Sequence, residues 1–164
     1  MADSENTKRF ELQKIYLKDA SFEAPNTPGI FAKEWKPNLN MQLNSEVKKG
    51  DNDLFEVMLS LTVTAKVGDS DETAYLAEVQ QAGLFLVKGF SDEELGPMLG
   101  SYAPSLIYPY ASEAAASMVS KGGFTQLLLS PLNFEALYAQ KTQQMAAQQQ
   151  AATDGDNETP EVTH

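Results

Sequence analysis

The chain has no cysteine among its 164 residues, and its single histidine is the last residue, His164. Disulfides and thiolate metal sites are therefore excluded, and histidine-based acid/base work, metal ligation and serine activation have no internal imidazole to use. Positive charge is also scarce: 12 Lys and Arg stand against 23 Asp and Glu, a formal charge of −11. Such a chain repels phosphate backbones and anionic lipid, so nucleic acid is not expected as a partner. No apolar run approaches the ~18 residues that a membrane helix needs, and the opening MADSENTKRF carries no apolar targeting core. These features predict a cytoplasmic protein without direct membrane insertion. Phosphate-cradling loops of the Walker or GxGxxG kind are missing too, and Gly122-Gly123 reads as a helix stop.

What is present is enough apolar material, 42% of residues, for one core that hides roughly 70% of the extended chain's surface. The compositional boundaries predict a folded domain over 8–145, between a disordered N-terminus (1–7) and a disordered acidic tail (146–164). From residue 148 the tail holds Val162 as its one large apolar group beside Asp154, Asp156, Glu158 and Glu161, too little burial to offset ordering entropy.

Period-two alternation marks strands over 10–19, 38–44, 54–67 and 73–87. In 38–44, Leu39, Met41 and Leu43 alternate with Asn38, Asn40, Gln42 and Asn44; in 54–67 the odd positions from Phe55 to Ala65 are apolar. Turn-rich segments at 48–53 and 68–72 make the last three strands an antiparallel meander, and a long crossover loop follows the first strand. Residues 82–87 are apolar on both faces, so one face is expected against helices and the other against a further body such as a second subunit. From Ser91 the period turns helical. Ser91 with Glu94 forms a capping-box pattern, and Leu95, Met98, Leu99, Tyr102, Leu106 and Tyr110 recur at three- and four-residue steps. Pro97, Pro104 and Pro109 predict a short first piece and a longer second piece ending near Lys121. Asn133 caps a last helix with the face Phe134, Leu137, Tyr138 and Met145. Strands first and helices afterwards predict an α+β fold: a four-stranded antiparallel sheet with two C-terminal helices on one face.

The reactive inventory is poor. Asp69-Ser70-Asp71 and Asp154-Gly155-Asp156 superficially resemble calcium loops but lack the required glycine and bidentate positions or the flanking helices. No spacing singles out a carboxylate pair, which leaves a carboxylate-dependent enzyme or a small-ligand-binding α+β domain as the alternative reading. The informative segment is 24–37, APNTPGIFAKEWKP, too long for a hairpin loop and carrying Ile30, Phe31 and the single tryptophan, Trp35. These side chains either close a small satellite core under the loop or line an adaptable apolar groove beside Leu39, Met41 and Leu43.

Several blocks then carry a family likeness: Lys18-Asp19-Ala20-Ser21-Phe22-Glu23-Ala24-Pro25-Asn26, Ala74-Tyr75-Leu76-Ala77-Glu78-Val79-Gln80-Gln81, Leu99-Gly100-Ser101-Tyr102-Ala103-Pro104 through Tyr108-Pro109-Tyr110-Ala111, and Pro131-Leu132-Asn133-Phe134-Glu135-Ala136-Leu137. In this order they resemble the SecB family of bacterial protein-export chaperones. The resemblance implies an ATP-independent holdase without enzymatic activity or cofactor, a homotetramer built as a dimer of dimers. Its partners would be unfolded preproteins and the SecA translocation ATPase. It implies a client groove for which Ile30, Phe31, Trp35, Leu39, Met41, Leu43, Phe134 and Leu137 are the candidates. It also implies SecA contacts at Asp19, Glu23, Leu76 and Glu78, and subunit contacts at Ala77, Val79 and Gln81. Because Glu78 alternates with Ala77 and Val79, one strand can offer an acidic face and a buried one.

Overall fold

A computed structural model describes residues 7–69 and 71–154. Strands β1 (Arg9–Glu23), β2 (Asn38–Lys49), β3 (Leu54–Val67) and β4 (Glu72–Lys88) form one antiparallel sheet in the order β1-β4-β3-β2. The expected meander is therefore β2-β3-β4, and the crossover from β1 to β2 runs past the sheet, with a 3-10 turn over Gly29–Ala32. The β2-β3 turn is closed by a 2.7 Å bond from the Gly50 amide to the Leu54 carbonyl, with Asn52 and Asp53 at positive φ. Those two residue types tolerate the left-handed region best after glycine. β1 is bulged twice, between Leu12 and Lys14 and between Leu17 and Asp19, whereas β2 pairs with β3 without a register shift.

The register puts Phe55 to Val67 of β3, by odd numbers, on the same face as Tyr75, Ala77, Val79, Gln81 and Phe85 of β4. This face is the buried one. It meets α2 (Ala103–Lys121), whose Ala103, Ile107, Ala111, Ala115 and Val119 recur at helical spacing; small alanines let the helix lie close on the sheet. The opposite face carries Glu56, Ser60, Thr62, Thr64, Glu78 and Gln80 and stays open. There Ala82 is covered, while Leu84 and Leu86 are half-buried.

Before α2 come α1 (Asp92–Pro97) and a π-helical turn over Met98–Tyr102. Ser91 and Glu94 form the capping box in both directions, and Lys8 reaches Glu94 at 2.6 Å. The π turn was not foreseen. It widens the chain just before Pro104, whose ring would crowd the carbonyl four residues back and which has no N–H to offer it. Pro109 lies within α2 without ending it, and Gly123 at φ +85 closes the helix as expected.

In α3 (Phe134–Asp154) the Asn133 side chain accepts from the Ala136 amide at 3.1 Å, the expected cap. Tyr138 fills a slot left by two glycines: a Cβ on Gly100 would come within 2.6 Å of its ring, and one on Gly96 within 2.5 Å of its hydroxyl. This seat fixes α3 on the π turn rather than across the sheet. The helix continues to Asp154, so residues 146–154, expected to be disordered, are helical; alanine and glutamine are good helix formers even where nothing packs on them. The rest of the expected tail and residues 1–6 lie outside the described residues.

Candidate functional site

Two surfaces gather the candidate residues. The first is apolar and lies on the helix side of the sheet at its β2 edge. Leu39, Met41, Leu43 and Val47 all point to that face, because each is opposite an inward residue of β3. α2 lies chiefly over β3 and β4, and Leu39 (48% exposed), Met41 (36%) and Val47 (42%) of β2 remain open. Leu43 alone of the row is anchored, touching both core clusters.

At one end of this row the crossover loop folds over an aromatic nest. Trp35 is half-buried, its ring 5.7 Å from that of Phe124 and 6.4 Å from that of Tyr75. Phe31 lies 5.1 Å from Phe124 and is half exposed; Phe22 packs 5.8 Å from Tyr75. Burial pushes the Tyr75 phenol above its ordinary range. The segment between α2 and α3 then runs along the same side: Leu127 is buried, while Leu128 stands 78% exposed. Leu137, on the first turns of α3, is also open. A cleft of about 640 Å³ between the π turn and α3 is lined by residues that include Tyr102, Phe134, Glu135 and Tyr138.

One groove candidate is corrected: Ile30 (2% exposed) is closed to solvent under the loop and supports the wall rather than lining it. Phe134 (8%) is nearly covered, edge-on to Tyr108 at 5.5 Å, and contributes to the lining of the cleft between the π turn and α3. In the loop, Ile30 is part of a core cluster and Trp35 packs against that cluster, while Phe31 is half exposed. Sequence reasoning missed Phe22, Tyr75 and Phe124 as the floor of the nest; the one available signal was Phe124 directly after the Gly122-Gly123 stop.

The second surface is acidic and lies on the open face. Glu23 is opposite Leu76, Ser21 opposite Glu78, and Asp19 opposite Gln80, so Asp19, Glu23, Leu76 and Glu78 come from two neighbouring strands onto one patch. Ser21 donates to Glu78 at 3.3 Å. Beside this patch Glu56 is engaged by Tyr16 and Lys18, which hold its carboxyl below the ordinary value of 4.5.

Ala77, Val79 and Gln81 require a correction. Alternation did put them opposite Glu78, but the body that covers them is the chain's own α2; Gln81 is 5% exposed. They are not at a surface where another subunit would meet them directly. Among the described residues no cluster of three or more His, Cys, Asp or Glu is arranged to hold a metal ion, and no helix is long and apolar enough to cross a membrane.

The fold has a solved counterpart in the SecB-like chaperone of Mycobacterium tuberculosis, determined with a ChAD peptide from the HigA1 antitoxin. The two are 17% identical with a TM-score of 0.65, over 76% of this chain and 91% of that one. Sequence similarity is far higher to the protein-export protein SecB of Nitrosococcus oceani, 54% identical over 138 residues and 83% of each chain. The SecB of Methylococcus capsulatus is 48% identical over 146 residues, 89% of this chain and 93% of that one. The family described as preprotein translocase subunit SecB matches residues 3–145, which takes in the edge row, the aromatic nest and the acidic patch alike. The chain therefore belongs to the SecB family of protein-export chaperones.

Proposed function

We propose that this chain is an ATP-independent holdase that binds unfolded preproteins along the apolar row and nest, keeps them competent for translocation and passes them to SecA through the acidic patch. It works in the cytoplasm as a homotetramer, a dimer of dimers, and performs no enzymatic chemistry. The observation that carries the reading is the row itself: Leu39, Met41 and Val47 stay solvent-exposed on the face that elsewhere forms the core. A row of this kind is an incomplete core waiting for apolar side chains from another chain.

The energetics suit capture without fuel. Each 100 Å² of client apolar surface leaving water contributes about 2.5 kcal/mol gross, much of which is offset by ordering the client. One site is therefore weak, and a long client spanning several sites gains by effective concentration. A folded protein has already buried that surface and is not held. The charge of −11 keeps complexes soluble and favours basic segments.

The test is light scattering while a slow-folding preprotein is diluted from denaturant. The holdase reading predicts suppressed aggregation without nucleotide, and no effect of Leu39→Ser with Met41→Ser would remove the row from the site. The enzyme or small-ligand alternative draws no support from these surfaces.

A further inference from the structure

The crossover loop is attached by polar side chains to the sheet at two points, and both lie at the start of β4. Pairing of β1 with β4 ends at Glu23 and Leu76. Beyond that point the loop takes over. The Asn26 side-chain amide donates to the Thr73 carbonyl at 2.9 Å from a half-buried position, and the Lys33 ammonium pairs with the Glu72 carboxylate. Between these attachments the chain is one hydrogen-bonded turn: the Ile30 amide donates to the Asn26 carbonyl at 2.9 Å, Phe31 to Pro28 at 3.1 Å and Lys33 to Ile30 at 3.2 Å. Ile30 plugs this turn into the core cluster that holds Tyr75 and Phe124. The register of β3 and β4 shifts in the same place, between the pairs Lys66↔Thr73 and Ala65↔Tyr75. A shift of this kind re-aims the side chain beside it, here Tyr75 in the floor of the nest.

Resting on the holdase reading, we infer that Asn26 is a positioning residue for client binding: its bond to Thr73 sets the spacing between the loop aromatics and the floor beneath them. The nest is thereby built before a client arrives. Phe31, inside the clamped turn, and Trp35, two residues past Lys33, both come to the Phe124 ring, at 5.1 and 5.7 Å. A client aromatic ring gains edge and face partners only where such spacings are held, whereas an aliphatic side chain gains area alone. Of the two attachments the amide bond governs. The Lys33 and Glu72 side chains are 43% and 31% exposed, so their pairing is weak and screened by salt. The Asn26 bond is neutral and half-buried, and its loss leaves the Thr73 carbonyl without that donor. A loop released there keeps Ile30 in the core but frees Trp35, and the client must then order the loop as it binds, which lowers affinity.

The experiment uses Asn26→Asp in the full-length protein, which keeps the shape of the side chain and removes its donor. Trp35 is the single tryptophan, so acrylamide quenching reads the loop directly, and quenching without client is expected to increase. Fluorescence anisotropy is expected to show about a fivefold loss of affinity for a labelled peptide alternating phenylalanine and serine, the scale of one net hydrogen bond. Affinity for the leucine and serine counterpart is expected to stay unchanged. Lys33→Gln is expected to move both readouts in the same direction by less, and it supplies the test if Asn26→Asp does not fold. Unchanged quenching in the folded variant, or equal losses for the two peptides, would overturn the positioning role while leaving the holdase reading intact. Failure of the unsubstituted protein to hold either peptide or a denatured preprotein would overturn the holdase reading itself.

Discussion

Tyr16 on β1 donates a 2.5 Å hydrogen bond to Oε2 of Glu56 on β3, bridging the whole width of β4. The bridge passes at Ala82, the register partner of Tyr16, a residue small enough to lie completely covered beneath it. Lys18 donates to the other carboxylate oxygen at 3.0 Å. Both oxygens of Glu56 are thus committed within the subunit, which sets this acid apart from Asp19, Glu23 and Glu78 on the same face.

Burial, and then the bond to Glu56, push the Tyr16 phenol up to about 12. Because the folded value lies above the ordinary 10, the contribution of the bridge is complete below pH 10 and is lost as pH rises through about 12. Glu56 behaves oppositely: its value is lowered, first by Tyr16 and then by Lys18, so its contribution is lost as acid protonates it below its ordinary range. Ultraviolet titration should show Tyr16 and Tyr75 ionising late, the Tyr16 step alone being absent in Tyr16→Phe, and that variant should lose about 1 kcal/mol at neutral pH.

Asp19→Ala with Glu78→Ala should weaken SecA binding roughly tenfold, mostly through slower association that depends on salt, and leave client holding unchanged. Titration calorimetry with SecA checks it. The two side chains face away from the row and nest, so any parallel loss of client affinity would contradict the separation of the two surfaces.

Trp35 reports on the nest. Its ring touches Phe124 and Tyr75 yet stays half-buried, so an unfolded client should shift its emission, and Trp35→Ala should lower client affinity several-fold. An unchanged spectrum on adding client would remove it from the binding surface.

Gly100→Ala should unseat α3, since the new methyl must displace the Tyr138 ring. The expected cost is about 1–3 kcal/mol, accompanied by faster hydrogen exchange across the first turns of α3. Combining it with Tyr138→Ala should recover part of the loss, which thermal unfolding of the single and double variants measures.

The sheet was legible because burial on one face forces strict alternation, as in Phe55 to Val67. The end of β2 was less so, because Ser45, Glu46 and Lys48 keep the period while losing the contrast. Alternation also assigned Ala77, Val79 and Gln81 to the correct face but says nothing about which body covers a face, and α2 of the same chain does. The last turns of α3 escaped a reading based on apolar content, since a helix of alanine and glutamine projects without a buried stripe. The acidic patch was visible through family likeness alone: three carboxylates on two strands become neighbours only once the β1-β4 register is known.

The central claim, capture of non-native chains without fuel, is tested most directly by sedimentation velocity of this protein with a preprotein in nucleotide-free buffer. The account predicts that the denatured preprotein co-sediments with an assembly of four copies and that the native form does not. Lone protomers, with the denatured chain sedimenting apart from them, would contradict it.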